Sequence, residues 1–351
     1  MNFPLLFCVF LSIVLVSVHA VPVQNPTLYI FGDSLSDMGR LKNLTHGLMP
    51  PKAYWNGRFS SGPIWNEYLS LLLNYNLENH AVGVSKTTTI HHKLLNIIPL
   101  DPPSTQDQIA EFAETVGKNK RIGSADIAVL EIGSNDAAAA LVDIDNGKQT
   151  VYEFGNNVSD SVIEQLQSLY NLGFSRILVT NLPSLQHTPV MKSKHREKIA
   201  EIVVGFYNRI LSEKIEKWRE SINLISLDII NLGEFLTLAI GPSISSSLGI
   251  TDTKSICVGG SWLSMFDDQL NLANLLKYLL TSDSDRATCG DPESRFFFDP
   301  IHPSEQVHRL FGYYIYRIIA THGTFALSES NLLLLIKEFR LDQPVLKPVA
   351  I

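Results

Sequence analysis

The chain has 351 residues, of which 45% are hydrophobic and 18% charged, and a formal net charge of -7. That length holds one large α/β domain or two small ones, and the mixture is globular with ample core material. The acidic balance disfavours nucleic acid as a partner, because phosphates select basic surfaces.

Residues 1–20, MNFPLLFCVFLSIVLVSVHA, carry no Lys, Arg, Asp or Glu and end in Val18-His19-Ala20. The run reads as a signal peptide with a small-residue cleavage site, so residues 21–351 are expected to be secreted and extracellular. The other reading is a membrane anchor or a buried strand. No later stretch reaches the ~18 apolar residues of a spanning helix, so no stable membrane span is expected.

Five short apolar runs follow as predicted strands: Leu28 to Phe31, Asn76 to Ala81, Asp126 to Ile132, Arg176 to Thr180 and Asn223 to Leu227. IAVLEI and RILVT are apolar with little alternation, as in strands covered on both faces. Between them, Val158, Val162, Leu166 and Leu169 stand at helical spacing in a segment from Val151 to Leu172, which Gly173 can cap. His195 to Glu220 reads as an exposed amphipathic helix. Residues 230–298 lack a clear period and read as an irregular, partly helical insertion; LLLLIKEFRL in the tail reads as one more helix. Alternating strands and helices predict a parallel sheet sandwiched by helices. With no repeat and no Pro, Gly or Ser-rich linker, residues 21–351 are read as a single domain and the protein as a monomer.

Removal of residues 1–20 takes Cys8 with it, leaving Cys257 and Cys289. Secretion would allow a disulfide between them, worth roughly 3–4 kcal/mol for such a loop; two buried free thiols are the alternative. Asn43-Leu44-Thr45 and Asn157-Val158-Ser159 fit the glycosylation acceptor pattern.

In open parallel sheets ligands bind beyond the carboxyl ends of the strands. The first run ends in Gly32-Asp33-Ser34-Leu35-Ser36, the second near Asn79-His80-Ala81-Val82-Gly83, and the third in Gly133-Ser134-Asn135-Asp136. A hydroxyl, a glycine and an amide at neighbouring strand ends are what acyl transfer requires: a nucleophile and fixed donors for an oxyanion. A base stands in Phe298-Asp299-Pro300-Ile301-His302-Pro303. Pro300 disfavours helix at Asp299, and Pro303 suits the first position of a helix from about Ser304 to Ile319. In such a turn the Asp299 carboxylate can reach Nδ1 of His302 and leave Nε2 for Ser34. No Gly-x-Ser-x-Gly elbow is present, which disfavours an α/β-hydrolase fold.

FGDSLSDMG, GSND and DPIHP, in this order, resemble the first, third and fifth sequence blocks of the GDSL, or SGNH, hydrolase family. PPKAYWNGRFSSGPIWNEYL, PSTQDQIAEF and VTNLPSLQHTP extend the resemblance over most of residues 21–351. It implies a three-layer α/β/α sandwich with a parallel five-stranded flavodoxin-like sheet, and hydrolysis of carboxylic esters, lipid acyl or carbohydrate acetyl, with no metal or cofactor. By position, Ser34 is the nucleophile and an oxyanion donor, Asn135 a side-chain donor, His302 the base and Asp299 its orienting group. The second block departs from the family's paired glycines: Gly83 is followed by Val84. Gly83 N–H is the expected third oxyanion donor, with Val84 N–H as the alternative. Arg40 stands where the family has Asn.

Asp33 and Asp37 read as structural groups that bond local backbone. His91-His92 and His308 lack the companion residues of a metal site and read as solvated or packing histidines. Tyr54, Trp55, Phe59 and Trp65 belong either to the core or to the cleft wall. The rival to an enzyme is a secreted binding protein that keeps the fold without activity.

Overall fold

The computed structural model describes residues 25–88, 102–116, 121–259 and 289–343. The expected signal segment 1–20, His91-His92 and residues 260–288 of the 230–298 insertion lie outside these ranges.

Five parallel strands form the central sheet: β1 (Thr27–Gly32), β2 (Asn76–Asn79), β3 (Ile127–Glu131), β4 (Arg176–Thr180) and β5 (Ser226–Ile230), in the order β2-β1-β3-β4-β5. Successive side chains leave a strand on opposite faces. Tyr29, Phe31, Ala128, Leu130, Ile177 and Val179 therefore join one buried cluster, while Leu28, Ile30, Ile127, Val129 and Leu178 join another. Both faces are apolar, so both must be covered.

The covering helices are α1 (Arg40–Leu44), α2 (Trp65–Leu73), α3 (Thr105–Thr115), α4 (Ser134–Asp145), α5 (Val151–Asn171), α6 (Pro189–Ser193), α7 (Glu197–Arg219), α8 (Leu232–Ala239), α9 (Pro242–Ser247), α10 (Glu305–Ala320) and α11 (Glu329–Phe339). Helices α3, α4, α5 and α7 close the first cluster, and α2, α8, α9, α10 and α11 the second. The result is a three-layer α/β/α sandwich whose strand order is flavodoxin-like.

Local signals explain the element ends. Thr150 and Glu153 form a capping box at the start of α5, and Gly173, at φ 104°, follows its end in the left-handed region as expected. Several boundaries differ from expectation. β2 ends at Asn79 rather than Ala81, β3 spans Ile127–Glu131 rather than Asp126 to Ile132, α7 begins at Glu197 rather than His195, and β5 ends at Ile230 rather than Leu227. Two further differences have a clear cause. The fifth strand begins at Ser226 rather than Asn223, because Ser226 is the first residue in register with β4 (opposite Arg176) and Ile225 is 64% exposed. Pro303 precedes α10 instead of starting it: the chain is still extended there, bridging Phe297, and Ser304 is the N-cap.

Within the insertion, α8 and α9 lead to β6 (Asp252–Ile256), which pairs in parallel with β7 (Arg295–Phe297). Cys257 and Cys289 form a disulfide with their Cα atoms 4.5 Å apart, so the free-thiol alternative falls away. Just beyond β6, the N–H groups of Cys257 and Val258 donate to the carbonyl of Phe298 at 3.0 and 2.7 Å. The insertion thereby holds the main chain directly before Asp299. No helix among the described residues is long and apolar enough to cross a membrane.

Candidate active site

Strands β1 and β3 are neighbours from which the chain departs toward opposite edges of the sheet, making a crevice at their carboxyl ends. Ser34 leaves β1 on one side of it and Asn135 follows β3 on the other. The turn after β1 is tight. Leu35 N–H donates to the Asp33 carboxylate at 3.0 Å and Ser36 N–H to the Asp33 carbonyl at 3.1 Å. A Cβ on Gly32 would stand 2.8 Å from the Glu131 carbonyl, so only glycine fits this close strand approach. Gln108 of α3 holds both Gly32 backbone groups at 2.9 Å.

The loop before α10 brings the imidazole to that turn. Nε2 of His302 lies 2.7 Å from Ser34 Oγ, and Nδ1 lies 2.6 Å from Oδ2 of Asp299. The other carboxylate oxygen of Asp299 accepts the N–H groups of Ile301 and His302, each at 2.7 Å. All three side chains are buried, Ser34 being the most exposed at 9%. Sequence reasoning singled out Ser34, Asp299 and His302, and the fold gathers them into one hydrogen-bonded line.

One further group completes the Asp299 shell. The Tyr54 hydroxyl donates to Oδ2 at 2.7 Å, so this fully buried carboxylate meets four donors. Tyr54 is packed edge-on against Phe298 and near Phe59, whose ring centroid lies 4.9 Å from that of His302. Of the four aromatics weighed between core and cleft, Tyr54 and Trp65 are core, Phe59 is buried yet lines the cleft, and Trp55 carries the Arg58 guanidinium at 5.0 Å.

The second-block loop requires a correction. Gly83 N–H donates to Asp37 Oδ2 at 2.7 Å and is therefore spent inside the fold, not offered to the cleft. Asp37 binds three more N–H groups, those of Gly39, Arg40 and Leu41, at the start of α1. The alternative, Val84, lines the cleft with Ser34, Asn135 and His302, and its N–H has no partner among the described residues. Val84 has φ 71°, a left-handed conformation that β-branched residues rarely adopt. Asn135 lies in the first turn of α4. Its amide nitrogen donates to the Ser85 carbonyl at 2.9 Å and stands 3.5 Å from Asp33 Oδ2, a marginal contact. Arg40 turns away from the cleft, donating to the His80 carbonyl at 2.6 Å and pairing with Glu111.

Acidic groups crowd the floor of the site. Asp33 and Glu131 are both fully buried; burial pushes Asp33 well above the usual carboxylate range and Glu131 up to about 7. Ser36 Oγ donates to Glu131 at 2.8 Å. Burial also raises Asp37 and Asp136, the latter bound by Thr87. Nothing in the sequence pattern marked Tyr54 as a partner of Asp299. Glu131 did leave a signal, a carboxylate inside an otherwise apolar strand, which has to be satisfied when buried. His308 is buried on α10 with its basicity pushed down to about 3 by burial, a packing histidine. No group of three metal-binding side chains occurs among the described residues. Asn43 and Asn157 are exposed, on α1 and α5.

Above this floor the cleft wall is mostly apolar, with Val142 of α4, Met191 of α6, Leu236 of α8, Ile240 just after it, and Ile301. Comparison with known proteins adds the lineage. The chain is similar to the phosphatidylcholine-sterol acyltransferase of Aeromonas hydrophila, at 24% identity over 310 residues covering 80% of this chain and 86% of that protein. It is equally similar to a GDSL esterase/lipase of Arabidopsis thaliana, at 24% identity over 359 residues covering 89% and 96%. Among solved structures it is similar to a Mycobacterium smegmatis aryl esterase, at 14% identity and a TM-score of 0.42, covering 84% and 99%. A model described as GDSL-like lipase/acylhydrolase matches residues 28–315. Ester hydrolysis is the activity this likeness supports, and the chain belongs to the GDSL-like lipase/acylhydrolase family.

Proposed function

We propose that the protein is a secreted serine ester hydrolase working through an acyl-enzyme on Ser34. The observation that carries this reading is the unbroken line from Ser34 Oγ through His302 to Asp299. In the first step Oγ attacks the ester carbonyl carbon as His302 Nε2 takes the hydroxyl proton. The carbonyl oxygen becomes an oxyanion facing Ser34 N–H, Val84 N–H and an amide hydrogen of Asn135. Collapse breaks the ester C–O bond, and the proton on His302 passes to the departing alkoxide, which leaves as the alcohol. Water then attacks the acyl-enzyme, gives its proton to His302, and releases the acid and Ser34.

The apolar wall favours the acyl side of a lipid-like ester over a small acetyl group on a sugar. Export through residues 1–20, glycans at Asn43 and Asn157, and a monomeric state are part of the same proposal; the disulfide supports an oxidising compartment. A fluorophosphonate probe with peptide mapping tests the reading. Label is expected on Ser34 and absent in Ser34→Ala; a folded wild type that takes no label would instead be a binding protein. A panel of p-nitrophenyl esters beside acetylated sugars then ranks the acyl groups.

A further inference from the structure

We propose that Leu236 limits the length of acyl chain this cleft accepts. Its side chain, with Leu35 and Pro303, parts the cleft from a second apolar cavity, and the chain of the ester ends against it. The inference deepens the esterase reading and rests on it.

The cleft above Ser34 measures about 120 Å³, and a second cavity of about 20 Å³ adjoins it. Leu35, Leu236 and Pro303 line both spaces, so a single layer of side chains divides them. Leu35 follows Ser34 in the chain and Pro303 follows His302, which puts the partition beside the reacting carbon. Behind it stand Trp65 of α2, Phe235 of α8 and Phe311 of α10, all buried. The Phe311 ring centroid lies 5.7 Å from that of Trp65 and 4.9 Å from that of Phe235. Of the described walls of this cavity, only Leu35 and Leu236 are half-buried; the others are buried. The less tightly packed side of the cavity is thus the side that faces the cleft.

Chemistry decides which part of the ester turns this way. The alcohol has to leave, and water has to take its place beside His302, while the acyl group is still bonded to Ser34. A foot closed by packed apolar side chains suits the part that stays and has no hydrogen bonds to lose, the hydrocarbon of the acyl chain. The three rings behind the partition brace one another, and close-packed interiors yield little. Leu35 and Pro303 are tied to the Ser34 turn and the His302 loop. Leu236 stands on α8, which carries neither Ser34, Asp299 nor His302, so it is the member of the partition that can vary without disturbing them.

The experiment uses the full chain and p-nitrophenyl esters of straight-chain acids from acetyl to palmitoyl. In wild type kcat/KM should climb about fourfold with each methylene buried and stop at one chain length. In Leu236→Ala the climb should continue for about two or three methylenes more, so an ester about two carbons past the wild-type stop gains about tenfold over one at the stop. Ile240→Ala is the control, because Ile240 lines the cleft and is not among the described walls of the cavity. It should leave the stop where it was. Leu236→Phe, which thickens the partition, should bring the stop to a shorter chain, and it carries the test if the alanine form does not fold.

Calorimetric titration of straight-chain fatty acids into Ser34→Ala forms of the same proteins needs no turnover and should show the same stop and the same displacements. The partition is refuted by a wild-type profile that climbs to palmitoyl without a stop. It is equally refuted by a stop that neither Leu236 variant moves, or that Ile240→Ala moves as far as Leu236→Ala does. If wild type cleaves none of the esters while the fatty-acid series still shifts with Leu236, the esterase reading falls and the partition stands.

Discussion

Replacing Tyr54 with Phe removes one oxygen from the interior and nothing else. The ring stays packed by Phe298 and Phe59, but Asp299 Oδ2 loses one of the two donors that share it, the other being His302 Nδ1. A hydrogen bond to a charged group contributes about 1.5–3 kcal/mol, and Asp299 has no solvent to replace it. If that contribution acts wholly in the transition state, where Asp299 faces an imidazolium, kcat/KM for a p-nitrophenyl ester falls about 10–150-fold. If it acts equally in the resting fold, the same loss appears as lowered stability, with only a small change in rate. Stopped-flow or steady-state hydrolysis beside thermal unfolding separates the two. Retention of both wild-type kcat/KM within twofold and wild-type Tm would show that the Tyr54 hydroxyl holds nothing, and the account of the Asp299 shell would be wrong.

Asn135→Ala should lower kcat by about 10²–10³ with KM little affected, as for one oxyanion donor; an unchanged turnover in the ester assay would remove it from the site. Val84→Gly relieves a left-handed conformation that costs an L-residue about 1–2 kcal/mol, against about 0.5–1 kcal/mol of added chain entropy and some lost packing. Its unfolding free energy in urea is expected within about 1 kcal/mol of wild type, and a much larger loss would mean that the side chain, not the backbone, matters there. Glu131 also predicts a pH dependence of stability. Its folded pKa is raised from 4.5 to about 7, so between these values the folded chain keeps a proton that the unfolded chain has released. Stability attributable to Glu131 is therefore lost as pH rises through that window, by about 3 kcal/mol at most. Glu131→Gln should unfold at a higher temperature than wild type at pH 8 and at nearly the same temperature at pH 5; the opposite order would reject the raised pKa.

Buried parallel strands announce themselves, since a run such as RILVT must be apolar on both faces, and β4 coincides with its expected span. The edge strand β5 was harder to place: only one neighbour constrains it, and Ile225 can be apolar and exposed just outside it. Ser34, Asp299 and His302 were legible because each sits in a short block whose chemistry is local. Their grouping was not local, yet the rule that sites form at strand ends supplied it. The Gly83 expectation failed for a different reason. Which of two adjacent N–H groups faces the cleft depends on where Asp37, forty-six residues earlier, spends its oxygens. No pattern of residue types carries that information. Tyr54 is of the same kind, a contact made across 245 residues by packing alone.

The Ser34 hydroxyl and the His302 imidazole are separated by 268 positions of chain. A ribosome translating this message releases Ser34 early and His302 only after β1 through β5 have all been made. Under the proposed mechanism the serine until then has no proton acceptor, and a nascent or prematurely terminated polypeptide is a harmless alcohol. On that mechanism hydrolytic power arrives last, as a property of the finished fold, and a cell making such an enzyme near its own acyl esters is shielded by the order of synthesis itself.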